Sequence, residues 1–62
     1  MRRIRKGMSY GELVEMVTAG EIYTLDRISD RAVIAYVENN GRLEAYLVLF
    51  DENDRVVEVA RI

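Results

Sequence analysis

The densest run of metal-capable oxygens in this 62-residue chain is Asp51-Glu52-Asn53-Asp54. Such oxygens can hold Ca²⁺, but a calcium loop spaces its acidic ligands at alternate positions and needs a Gly at the sixth. Here Arg55 and Val56 fall fifth and sixth. The run is therefore expected to be a polar hairpin turn, built from residues that favour turns. Ser9 could act as a nucleophile only with a base to take its proton. The chain has no His, which leaves Lys6, and one helix N-terminus is the only oxyanion-stabilising feature on offer, so Ser9 is read as a helix cap. The carboxylates Glu12, Glu15, Asp26, Glu38, Glu44 and Glu58 could pair as an acid–base couple. A chain this short has little room to enclose a pocket of several hundred Å³, so they are read as solvated, with Glu44 matched to Arg61 across strands. No enzymatic activity and no cofactor are expected.

Arg2, Arg3, Arg5 and Lys6 could touch phosphates or an acidic partner, with salt-sensitive affinity. No aromatic side chains interleave with them to stack bases. The net charge is −2, whereas a dedicated nucleic-acid binder is usually distinctly basic. The basic run has no apolar segment behind it, so it is not read as a secretory signal. No apolar run approaches the ~20 residues of a membrane span. The expectation is a cytoplasmic protein with no membrane contact.

The elements that must position these residues follow from periodicity. Ser9 and Glu12 have the spacing of a capping box, and Met8 and Leu13 that of a hydrophobic staple. A helix is expected over about 10–18, with Leu13, Met16 and Val17 as its buried stripe, flanked by Tyr10 and Val14. Gly20 is the natural stop. Gly11 in the first turn is unfavourable in a helix, and close backbone approach is the one local reason for it. Beyond Gly20 the period changes to two, giving strands over about 21–28, 31–39, 42–50 and 55–62. Ser29-Asp30, Asn40-Gly41 and residues 51–54 form the turns. Asn40-Gly41 is the strongest short hairpin signal, because a type I′ turn needs positive φ at both positions. It pairs Asn39 with Arg42, Tyr36 with Ala45 and Ile34 with Leu47. The acidic turn pairs Phe50 with Arg55, Val48 with Val57 and Glu44 with Arg61.

This register yields two apolar faces. Tyr23, Leu25, Ala32, Ile34, Tyr36, Leu43, Ala45, Leu47, Leu49, Val56, Ala60 and Ile62 share one, which is expected to receive the helix. Glu58 also points there, an odd place for a carboxylate. Ile22, Thr24, Asp26, Val33, Ala35, Val37, Glu44, Tyr46, Val48, Phe50, Val57, Val59 and Arg61 share the other. An antiparallel sheet covered on one side should be polar on its far side; this one is not. One helix of about nine residues cannot cover both faces.

The pattern Ile4-x-Lys6-Gly7-Met8-Ser9-Tyr10-x-Glu12-Leu13-Val14 resembles the helix-opening signature of the SmpA/OmlA-like and β-lactamase-inhibitor-protein-like modules. The run from Leu47 to Val59, with Phe50-Asp51 before a polar turn and a Val-rich last strand, is similar to their closing hairpin. The resemblance covers most of the chain. It implies a helix packed on an antiparallel sheet and a binding or scaffolding role without catalysis. The chain departs from the lipoprotein members in having no signal peptide and no Cys for lipid attachment, and it has one helix where some members have two. It would be a minimal, soluble version.

The expected fold is α+β: a single domain over 1–62 with one N-terminal helix packed on a four-stranded antiparallel β-meander. A chain of this length buries only about 60% of the surface its unfolded form exposes. With no Cys, disulfides and thiolate metal sites are excluded as supports, which leaves oligomerisation. Half the residues are hydrophobic. The expected function is protein–protein association, first of all as a homodimer, through Val33, Tyr46, Val48, Phe50, Val57 and Val59 or through a sheet edge. Two alternatives stand beside it: a nucleic-acid-associated regulator using the basic N-terminus, and a small inhibitor of another protein of the kind a phage might encode.

Overall fold

A computed structural model describes residues 2–62. Helix α1 spans Tyr10–Thr18, and strands β1 (Thr24–Ser29), β2 (Ala32–Asn39), β3 (Arg42–Phe50) and β4 (Val56–Arg61) follow it. The strands pair in sequence order as one antiparallel meander, β1-β2-β3-β4. The α+β architecture is the expected one.

The helix starts and stops where its capping chemistry dictates. The Glu12 N–H donates to Ser9 Oγ (3.1 Å), and the Ser9 N–H donates to Glu12 Oε1 (3.0 Å). Ala19 is the C-cap, Gly20 follows with φ of 80°, and the N–H groups of Gly20 and Glu21 donate to the carbonyls of Val17 and Met16. This double bond pattern is a Schellman motif. It takes up Glu21, and the Ile22 N–H also donates to the Met16 carbonyl. The N–H groups of Glu21 and Ile22 are thus committed to the helix end, and β1 begins three residues later than expected. Gly11 does not mark a close approach: a Cβ there would meet only Ser9 Oγ, at 3.8 Å.

The Asn40-Gly41 turn has φ of 53° and 80° at its two residues, and it sets Asn39 opposite Arg42, Tyr36 opposite Ala45 and Ile34 opposite Leu47, as the spacing predicts. The two outer hairpins differ from expectation. The first turn lies at Asp30-Arg31, one residue late, and Ile28 is the extra residue of a bulge. Arg27 Nη1 ties this turn by donating to the carbonyls of Ser29 (3.3 Å) and Asp30 (3.0 Å). Because side chains alternate, the slip moves β1 across the sheet. Leu25 stands opposite Ala35, and Asp26 opposite Ile34. In the last hairpin a bulge between Leu49 and Phe50 makes Phe50 pair with Val56 and Leu49 with Glu58. Val59, in place of Val57, then faces Val48, and Arg61 faces Tyr46 in place of Glu44.

The largest correction concerns which face the helix covers. The core joins Leu13, Met16 and Ile22 to Val33, Ala35, Val48, Phe50 and Val56, with Leu25, Val37, Tyr46 and Val59 packed against it. The helix therefore lies on the Val33–Val48 face, not on the Ile34–Leu47 face. Two features favour this side. The central rows under the helix are short or β-branched (Val33, Ala35, Val48), so the helix approaches closely, whereas Tyr36, Leu47 and Leu49 would hold it away. The chain entering the helix is also fixed beside β4, where Gly7 N–H donates to the Val56 carbonyl (2.7 Å) and Val56 N–H to the Met8 carbonyl (2.8 Å). Tyr10 stacks edge-on against Phe50, with ring centroids 5.7 Å apart, and Arg27 lies 4.8 Å over the Tyr10 ring.

Candidate interaction surface

The sheet face turned away from the helix is built by the two central strands. β2 contributes Ala32, Ile34 and Tyr36, and β3 contributes Leu43, Ala45, Leu47 and Leu49, each on the face set by its cross-strand partner. None of Ile34, Tyr36, Ala45, Leu47 and Leu49 packs against the core under the helix. These five are half-buried, while Leu43 is 56% exposed. The outer strands add Thr24 and Asp26 on one side and Glu58 and Ala60 on the other, and Glu38 stands opposite Leu43 at the hairpin end. The ionised side chains that the strand register places on this face, Asp26, Glu38 and Glu58, are all acidic. Glu58 is explained by this arrangement: its face is open, so its carboxylate stays in water.

The residues expected to form the interaction surface are placed differently. Val33 and Val48 are fully buried and Phe50 is 5% exposed, all three in the core. Tyr46 and Val59 are half-buried and pack against the same core. Val57 is exposed, but as the bulge residue at the edge. The expected surface is thus the helix-covered face, and the uncovered one is its reverse.

Of the basic N-terminal residues, Arg2, Arg3 and Arg5 line one small open pocket beside Met8 and Glu12. Arg2 clamps Glu21: its backbone N–H donates to Oε2 (3.1 Å), its Nε–H to Oε1 (2.9 Å), and Nη2 lies 2.9 Å from Oε1. These bonds, the backbone one first, hold the Glu21 carboxyl below its usual range. Arg3, Arg5 and Lys6 are exposed.

Beside this clamp the helix side of the sheet has a groove of about 560 Å³ that is open to solvent rather than enclosed. Arg2, Glu21, Val37, Glu44 and Tyr46 line it. Arg3 and Glu38 line it as well; Arg2 and Glu21 are paired with each other, and Glu44 is paired with Arg61. Glu44 accepts from the Tyr46 hydroxyl (3.0 Å) and lies 3.1 Å from Arg61 Nη2. The Glu44–Arg61 pair therefore forms, diagonally across the strands. The Tyr46 phenol is pushed up, chiefly by its bond to Glu44. No nucleophile–base pair is aimed into the groove by these contacts.

Residues 51–54 form a turn held by Asp51. Its Oδ1 accepts from the N–H groups of Asn53 (2.8 Å) and Arg55 (3.0 Å), and Asp54 takes a φ of 59°. These bonds, led by that from Arg55, hold the Asp51 carboxyl below its ordinary range. Among the described residues, no group of three or more His, Cys, Asp or Glu side chains is placed to hold a metal ion. No helix among them is long and apolar enough to cross a membrane.

Comparison with protein-family models, with curated proteins and with solved structures gives no match, so the resemblance to the SmpA/OmlA-like modules rests on the sequence motifs alone.

Proposed function

We propose that this chain is a small, non-enzymatic protein–protein interaction module that associates with a second copy of itself through the open sheet face. The supporting observation is the run of Ile34, Tyr36, Leu43, Ala45, Leu47 and Leu49 across the two central strands, with no helix or strand over it among the described residues. The Cα envelope measures 34 × 22 × 16 Å. An interface spanning its broad side would approach the dimensions of a standard-size one, roughly 800 Å² per partner. A domain of this length also has little core of its own, and closing this face adds the missing burial. Charges of one sign at the rim leave the apolar centre as the source of affinity.

Sedimentation velocity on the wild type and on Leu47→Lys tests the reading. Wild type should assemble at micromolar concentration, and Leu47→Lys should have a lower mass while keeping its circular dichroism. A wild-type chain that stays monomeric, or a Leu47→Lys assembly of unchanged mass, overturns it. Binding of a different protein on the same face, with no self-association, would replace the second copy as occupant.

A further inference from the structure

The two edges of the sheet are not equivalent. The β4 edge is covered at its start by the chain entering the helix, through the bonds between Gly7, Met8 and Val56. The β1 edge has no such cover among the described residues. Five of its six residues are exposed, and the chain has no Pro to block it. A bare edge presents unpaired N–H and C=O groups that template another strand.

Which β1 groups are free follows from the ladder. The Phe50 N–H donates to the Arg31 carbonyl (2.8 Å). Backbone groups alternate in direction along a strand, so odd-numbered residues of β2 turn theirs to β3 and even-numbered ones to β1. Thr24 and Asp26 meet the even-numbered Tyr36 and Ile34. Leu25 and Arg27 therefore aim their N–H and C=O groups outward, away from the sheet.

Charge then selects what fits this edge. A second β1 running antiparallel can be centred on one of three residues in the middle of the strand. Centring on Asp26 sets Asp26 against its own copy, and centring on Arg27 sets two guanidinium groups together; like charges directly opposite are destabilising. Centring on Leu25 removes both conflicts. Leu25 then meets Leu25, Thr24 meets Asp26 and can donate to its carboxylate, and the exposed Tyr23 side chain (68% exposed) comes beside Arg27, while the Tyr23 N–H stays committed to the Tyr36 carbonyl (2.7 Å).

We propose that β1 is a second self-association surface, distinct from the open sheet face. Two β1 strands pair antiparallel about Leu25 and join two copies into one eight-stranded sheet. The two-fold axis is perpendicular to the sheet, so both helices lie on one side and the two open faces become continuous.

The natural absence of Cys allows a register-specific test. In this pairing Thr24 and Asp26 form a non-hydrogen-bonded cross-strand pair, with Cα atoms about 4.5 Å apart, within the range a disulfide spans. Both side chains are exposed. Under mild oxidation, a mixture of Thr24→Cys and Asp26→Cys chains should give a disulfide-linked dimer that neither variant gives alone. Repeating the mixture in a Leu47→Lys background separates the two surfaces: the cross-link should persist when the open face is disabled. A mixture that cross-links no faster than the single variants, or Asp26→Cys alone cross-linking as fast, overturns the proposal. Loss of the cross-link with Leu47→Lys, both chains still folded by circular dichroism, would also overturn it as a separate contact.

Discussion

Val33 stands opposite Val48 at the centre of the sheet, both fully buried beneath the helix, while their neighbours Ile34 and Leu47 stand opposite each other on the open side. Two adjacent apolar pairs thus have different duties. Val48→Ala should destabilise the folded chain by about 2 kcal/mol, from two lost methyl groups and the cavity they leave. Leu47→Ser should cost much less in the monomer and should weaken self-association. Urea unfolding at concentrations where the chain is monomeric, set beside sedimentation, separates the two. Equal destabilisation by both substitutions would contradict the assignment of faces.

Salt should act in opposite directions on the two readings of this chain. Asp26, Glu38 and Glu58 share the open face, so two copies meeting there bring like charges together. Raising ionic strength from about 0.01 M to about 1 M shortens the screening length from about 30 Å to about 3 Å. Self-association should tighten over that range. Nucleic-acid binding by Arg3, Arg5 and Lys6 would weaken instead. Titration of sedimentation against salt decides the first, and fluorescence anisotropy with a labelled duplex decides the second.

The helix start offers a paired test of local physics. Ser9→Ala removes an N-cap bond and should lower stability by about 1 kcal/mol. Gly11→Ala should raise it by up to about 1 kcal/mol, because the added Cβ meets nothing closer than Ser9 Oγ at 3.8 Å and the unfolded chain loses freedom. Thermal unfolding reads both. A destabilised Gly11→Ala chain would contradict the open space beside Gly11.

Acid should weaken the fold in a defined direction. Glu12 is held below its ordinary range first by the Ser9 N–H, Glu21 by the Arg2 N–H, and Asp51 by the Arg55 N–H. A folded-state pKa below the unfolded one contributes stability that is complete above the unfolded value and is lost as pH falls through the folded one. The urea midpoint should therefore hold from neutrality down to the usual carboxylate range and fall below it. Glu21→Gln should flatten that acid loss. A midpoint independent of pH across this window would remove these three carboxylates as contributors.

Local chemistry made much of this protein legible in its sequence. Ser9 and Glu12 determined where the helix begins, Gly20 where it ends, and Asn40-Gly41 the register of the central hairpin, because each acts on a backbone within a few residues of itself. The faces were another matter. A one-residue slip at Asp30-Arg31 set Leu25 opposite Ala35 and Asp26 opposite Ile34, switching β1 relative to the central strands, and a bulge after Leu49 put Val59 where Val57 was expected. Such bulges leave little trace in composition, since they trade one ladder position against packing far away in the chain. Both faces are apolar, so periodicity could not say which one the helix covers. Tertiary packing decided that, through the closer approach allowed by Val33, Ala35 and Val48 and the anchoring of Gly7 and Met8 beside Val56.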